Sequence, residues 1–183
     1  KKFKKKNFHH IIRKDKRDLS KSCILGFKKS RYNNIVVMDG DLQHKPSDIK
    51  KFLNTFRKIR PDIIVGTRDL FKDKKHNLNI FRLFASRILI LIVKLLLGSK
   101  TSDPMSGFFM FKKKIFTKYQ KRLIKKGYKI LLDLLYNNNQ KIKVVDVKIN
   151  FDSRTKGKSK MSVKILFYLI YMIFAKFFIK IKA

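Results

Sequence analysis

Cysteine is nearly absent from this sequence: 183 residues contain one, Cys23. A lone cysteine in an apolar, helical context excludes a disulfide framework and fits a reducing compartment. Acidic side chains are also scarce. Twelve aspartates and glutamates face 47 lysines and arginines, for a net charge of +35 and an isoelectric point near 10.5. Such a charge calls for polyanionic company: nucleic acid, an anionic membrane face or phosphorylated ligands. Much of the excess is lysine alongside many Asn, Ile and Phe, the residues of A/T-rich codons, so base composition competes as its source. No uncharged apolar run reaches the roughly 18 residues of a membrane span. The four histidines, His9, His10, His44 and His76, show no ligand spacing with Cys23 or with each other, and no zinc site is indicated. No secretory signal is visible, but the chain opens on Lys1 in mid-pattern. It is expected to be part of a longer protein, and the missing signal then carries no information.

What is present has the order of an α/β domain. The length suits one domain with a real core. Apolar runs alternate with helix-length periodic segments, which predicts βαβ units and a mainly parallel, Rossmann-like sheet flanked by helices. Strands are expected near residues 8–13, 34–39, 62–67 and 141–151, with an apolar strand after the turn at 103–107. Helices are expected at 19–30, 46–57, 80–97 and 127–138. Residues 71–79 and 153–160 read as loops. At 100° per residue, Arg82, Ser86, Arg87 and Lys94 share an arc of about 140° on the helix 80–97, and the rest of its surface is apolar. The tail 161–181 is apolar but interrupted by Lys164, Lys176 and Lys180. Its uncharged stretch at 165–175 is too short to span a bilayer and suits a helix lying in the membrane plane. Lys176, in mid-tail, argues against burial in a core. Two units follow: a catalytic-type domain over 1–160 and an amphipathic interfacial helix over 161–183.

The most informative segment is Ile35-Val36-Val37-Met38-Asp39-Gly40-Asp41-Leu42-Gln43-His44. On an extended strand, side chains i and i+2 point the same way. Asp39 and Asp41 are thus expected to aim two carboxylates into one volume at a strand's C-terminal end, where open α/β sheets place ligands. Paired hard oxygens suit a divalent cation, and that cation suits a phosphate-bearing substrate.

Five motifs in order then carry a resemblance. They are Met38-Asp39-Gly40-Asp41-Leu42-Gln43-His44-x-Pro46, Val65-Gly66-Thr67-Arg68, Arg82-x-x-x-Ser86, Asp103-Pro104-Met105-Ser106-Gly107-Phe108-Phe109, and Phe151-x-x-Arg154-x-x-Gly157-Lys158-Ser159-Lys160. Together they closely resemble the polyprenyl-phosphate sugar transferases of family 2 glycosyltransferases, nearest the dolichol-phosphate mannosyltransferase type. The resemblance implies a GT-A fold that uses Mg²⁺ or Mn²⁺. It implies transfer of a hexose, mannose above all, from a nucleotide-diphosphate sugar such as GDP-mannose to a polyprenyl or dolichyl phosphate, with inversion. It assigns Asp39, Asp41 and Gln43 to the metal and the donor diphosphate. Arg68, Arg82 and Ser86 fall to the acceptor phosphate, and Arg154, with Lys158 and Lys160, to a loop over the phosphates. Asp103 and Ser106 lie in the family's active-site motif and join Asp39 and Asp41 as catalytic candidates. The implied location is peripheral, on the cytoplasmic face of a membrane and against anionic lipid, with no nucleic-acid partner. A membrane-anchoring subunit or transmembrane segments after Ala183 stay open.

The chain departs from the family at its start, where the strand and the acidic segment that hold the nucleotide base and ribose are missing. An N-terminally incomplete domain is therefore expected, with an incomplete donor site that leaves the chain's own activity open. Within the family, glucose or a modified sugar passed to undecaprenyl phosphate is the alternative. Haloacid-dehalogenase-type phosphatases also open with a DxD, but require a threonine where Gln43 stands. A basic nucleic-acid-binding module would rest on charge alone. Processive polysaccharide synthases carry a Gln-x-x-Arg-Trp motif, and this sequence has no tryptophan.

Overall fold

A computed structural model describes residues 8–68, 80–137, 142–150, 152 and 163–181, with side chains at 80–86, 163–166 and 179–181 left out. Four strands form one sheet in the order β1-β3-β2-β4: β1 (Asn34–Val37), β2 (Ile63–Thr67), β3 (Phe109–Lys112) and β4 (Val144–Lys148). β3 runs antiparallel to both of its neighbours, and β2 pairs with β4 in parallel. The sheet is therefore mixed where a mainly parallel one was expected. β1, β2 and β4 do share one direction. The reversed β3 lies between β1 and β2 because it enters the sheet from the site end, straight out of the 103–107 turn.

Alternation along the strands builds two cores. Ile64, Phe108 and Met110 face one way and pack with Phe52 of α2 (Ile49–Ile59) and with Ile149. Ile63, Val65, Phe109 and Phe111 face the other way, into a larger core. There they meet α1 (Leu19–Lys29), α3 (Ile80–Leu97), α4 (Lys113–Tyr119), α5 (Ile130–Leu135) and α6 (Val163–Ile181). Phe27 of α1 sets its ring edge-on to Phe111 and Phe116, with centroids 4.8 and 5.4 Å away. Every residue of α5 is buried, as a helix apolar on all sides but for Asp133 must be. Asp18 fixes two elements at once: one carboxylate oxygen caps α1 at the Lys21 amide, and the other accepts the Gly127 amide.

Three expectations change. Residues 8–13 form no strand, and Phe8, Ile11 and Ile12 are exposed; among the described residues no strand lies alongside to satisfy their backbone. Helix α4 follows β3 without a break, where the sequence reading passes over it. Lys176 is fully buried and holds the tail in place. Its ammonium lies 2.6 Å from the Asp133 carboxylate and donates to Asn137 Oδ1 at 3.0 Å and to the Arg122 carbonyl at 3.3 Å. The other Asp133 oxygen accepts the amides of Ile124 and Lys125. Burial lowers the Lys176 pKa, and the charge of Asp133 opposes that shift.

Removing one partner of a buried pair strands the other charge, so Asp133→Ala is expected to cost about 3–5 kcal/mol in urea unfolding. Replacing both partners by apolar residues (Asp133→Leu with Lys176→Met) should recover most of that loss. A single-variant cost below about 1 kcal/mol would show that the pair does not anchor α6.

Candidate functional site

The site assembles where β1 and β2 end and the 103–107 turn leads into β3. Asp39 and Asp41 do not lie on the strand itself: β1 ends at Val37, and both carboxylates stand on the bend that follows. Strand alternation therefore does not bring them together. The bend does, with Leu42 in the left-handed region at φ 63° and Asp41 Oδ1 accepting the Gln43 amide at 3.3 Å. A leucine there is uncommon, and strain of that kind persists only where surrounding structure imposes it.

Burial pushes the Asp39 carboxyl above its ordinary value. His44 opposes the shift, and the charge of Asp41 adds to it. The two carboxylates are thus close enough to repel, an arrangement that a cation relieves. Among the described residues, no three of His, Cys, Asp and Glu come together as a complete metal cage. That composition still fits Mg²⁺ or Mn²⁺, since hard ions of this kind take one or two carboxylates and complete their shell with substrate phosphates. Gln43 donates its amide nitrogen to the Asp152 carbonyl at 3.1 Å, which leaves the amide oxygen as the end able to meet a cation.

The 103–107 turn backs this bend. A Cβ at Gly107 would lie 2.6 Å from the Asp39 Cγ, so only glycine lets the carboxylate occupy its place. Asp103, 1% exposed, accepts Arg68 Nε at 2.8 Å and so fixes the guanidinium at the mouth of β2. Asp103 is itself held by the Met105 amide through its second oxygen. Ser106 is buried, donates to the Gly66 carbonyl at 2.7 Å and accepts from the Phe108 amide at 3.2 Å. Its hydroxyl shapes the turn.

Two further residues belong here: His44, which stands in the DxD motif without an assigned role, and Lys129, which the sequence does not single out. His44 is buried, its ring 5.2 Å from that of Phe108, and burial lowers its pKa while Asp39 opposes. Lys129 donates to the Met105 carbonyl at 3.0 Å and interacts electrostatically with Arg68, Asp103 and Asp39. The signal for Lys129 is a lysine just ahead of a helix that is apolar apart from Asp133. Arg82 and Ser86 lie on α3, but their side chains fall outside the described residues, as do Arg154, Lys158 and Lys160 altogether.

Fold and site together define a GT-A-type domain. The solved structures it resembles include glucosyl-3-phosphoglycerate synthase from Mycobacterium tuberculosis in complex with Mn²⁺, UDP-glucose and phosphoglyceric acid. That likeness has a TM-score of 0.62 at 12% identity and covers 88% of this chain and 55% of that one. The family model "Glycosyl transferase family 2" matches residues 1–120. The chain is 34% identical over 160 residues to a dolichol-phosphate mannosyltransferase of Pyrococcus furiosus (86% of this chain, 44% of the relative). It is 32% identical over 165 residues to that of Mycosarcoma maydis (88% and 54%) and 31% over 168 to that of Saccharomyces cerevisiae (87% and 61%). The chain belongs to glycosyltransferase family 2, and it spans about half the length of these relatives.

Gly107→Ala should displace the Asp39 carboxylate while leaving the two cores intact. In the full-length protein we expect binding of Mn²⁺ with a nucleoside diphosphate, read by calorimetry, to weaken about tenfold or more at an unchanged melting temperature. Unaltered binding would mean that Asp39 does not hold the ion.

Proposed function

We propose that the full-length protein transfers a hexose, mannose in the first instance, from a nucleoside-diphosphate sugar to the phosphate of a polyprenyl lipid. One observation carries the reading most: the paired Asp39 and Asp41 lie beside an arginine fixed by Asp103, in a chain 31–34% identical to three dolichol-phosphate mannosyltransferases. Their names favour mannose and dolichyl phosphate over glucose and undecaprenyl phosphate.

Asp39, Asp41 and the Gln43 oxygen would hold Mg²⁺ or Mn²⁺, which when bound offsets the charge growing on the leaving diphosphate. The attacking phosphate is already anionic near neutral pH, so the protein's task is orientation more than deprotonation. Arg68 suits this because its planar fork grips phosphate oxygens, and Asp103 keeps that fork aimed. By the family resemblance, Arg82 and Ser86, one turn apart in the sequence of α3, would share the same phosphate, and Arg154, Lys158 and Lys160 would join them. A bond forms from a phosphate oxygen to the anomeric carbon as the bond to the diphosphate breaks, and the configuration inverts.

We further propose that the protein works at the cytoplasmic surface of a membrane. Among the described residues, no helix is long and apolar enough to cross one. The packed pair α3 and α6 instead presents large apolar side chains to the outside. Phe167, Tyr171, Phe174 and Phe178 of α6, at i, i+4, i+7 and i+11, are 48–68% exposed, and Ile88, Leu91 and Leu95 of α3 are 40–74% exposed. Stripes this large are unusual on a protein surrounded by water alone, and they suit a lipid interface. The +35 charge adds attraction to anionic headgroups. On this reading, α6 binds the membrane with the face of Phe167, Tyr171, Phe174 and Phe178, and its own domain with that of Leu169, Met172 and Ile173.

Asp41→Asn in the full-length protein is expected to lower transfer of radiolabelled mannose to dolichyl phosphate by about two orders of magnitude while the protein stays folded. Near-normal turnover, or full activity in excess chelator, would refute the assignment. For the membrane reading, the full-length protein should float with anionic liposomes at low salt. Replacing Phe167, Tyr171, Phe174 and Phe178 by serine should return it to the soluble fraction, and flotation unchanged by that replacement would refute the role of this face.

A further inference from the structure

Lys129 has properties that neither the fold nor the proposed transfer uses. It stands just ahead of α5, on a loop pinned to α1 in both directions: Asp18 accepts the Gly127 amide at 2.9 Å, and the Gly127 carbonyl accepts the Ser20 amide at 2.9 Å. Behind it, α5 is anchored by the buried pair of Asp133 and Lys176. The side chain is thus presented from a rigid base, as binding residues need to be.

Its ammonium has three donors, and the Met105 carbonyl takes one. Among the described residues, no carboxylate lies within ion-pairing distance of it. A half-buried cation that is not ion-paired is a costly arrangement, so structural reasons alone explain it poorly. Its position is specific. The carbonyl that it holds belongs to the turn carrying Asp103 and Gly107, and the charges of Arg68, Asp103 and Asp39 all act on it. Arg68 and Lys129 are thus two cations tied to the same 103–107 turn, Arg68 through Asp103 and Lys129 through Met105.

We propose that Lys129 is a substrate-binding residue that donates a charge-assisted hydrogen bond to a phosphate oxygen of one of the two phosphate-bearing substrates. This rests on the transfer proposed above, and the phosphate belongs either to the nucleoside diphosphate or to the lipid. The ammonium would keep its bond to Met105 and turn its remaining donors to the ligand, linking the ligand to the turn that positions Asp39 and Arg68.

The test uses the full-length protein with Lys129→Met and Lys129→Gln. The methionine keeps the apolar stem without donors, whereas the glutamine keeps a neutral donor for Met105. Binding of GDP with Mn²⁺ is measured by calorimetry, and binding of dolichyl phosphate in nanodiscs separately, neither requiring turnover. We expect one of the two affinities to fall about tenfold or more in both variants, with melting temperatures near that of the wild type. A fall for GDP–Mn²⁺ places the bond on the diphosphate, and a fall for dolichyl phosphate places it on the lipid. Both affinities within about threefold of wild type in the glutamine variant would overturn the proposal, reducing Lys129 to a support for Met105. Loss of folding in both variants would overturn it equally. A wild-type protein that binds both ligands but transfers no mannose would refute the transfer reading and leave this one standing.

Discussion

Arg68 and Asp103 meet at 2.8 Å with the carboxylate almost fully buried, and the turn that supplies Asp103 governs the rest of the site. The same five residues give Asp39 its place through the missing side chain of Gly107, take Lys129 through the Met105 carbonyl, and brace β2 through Ser106 on Gly66. Three separate parts of the chain, the bend after β1, the end of β2 and the loop before α5, are thus registered against one short segment. A buried charge pair adds little net stability beside an apolar alternative, because desolvation offsets most of the attraction. What it supplies here is a fixed direction for a guanidinium, which phosphate chemistry needs more than stability.

The same economy of charge appears in the tail. Buried ions are expensive unless paired and hydrogen-bonded, and Lys176 is both, against Asp133, Asn137 and the Arg122 carbonyl. One polar cluster in an otherwise apolar contact sets the rotation of α6. Leu169, Met172 and Ile173 turn inward with it, so the phenylalanines at 167, 174 and 178 must face outward. The exposed apolar stripe is therefore a consequence of internal packing, and the membrane reading draws on geometry beyond overall hydropathy.

Much of the fold was legible from periodicity. The helix at 80–97 has the predicted bounds, and the strands at 34–39 and 62–67 differ only at their ends. Apolar runs without partners misled: residues 8–13 have the composition of a strand, but composition does not supply a neighbour. The direction of β3 was hidden because it depends on where the 103–107 turn delivers the chain. In the site, Asp39, Asp41, Arg68 and Asp103 were found through motif order. Lys129 was not, since the groups that act on it, Met105, Asp103, Arg68 and Asp39, lie 24 to 90 residues away in the chain and no local pattern marks it; His44 stood in the motif, but its burial against Phe108 did not show there. Lys176 was read from its charge as evidence of exposure, and its partner Asp133 sits far off in sequence on a helix that otherwise looked entirely apolar.

The central claim is that the bend after β1 and the 103–107 turn form one metal-and-phosphate site. The most direct measurement is anomalous scattering from a crystal of the full-length protein soaked with Mn²⁺ and GDP. The account predicts a manganese peak at coordination distance from carboxylate oxygens of both Asp39 and Asp41, with a diphosphate oxygen in the same shell. Nucleotide bound with the manganese elsewhere, or with neither carboxylate in contact with it, would contradict the account.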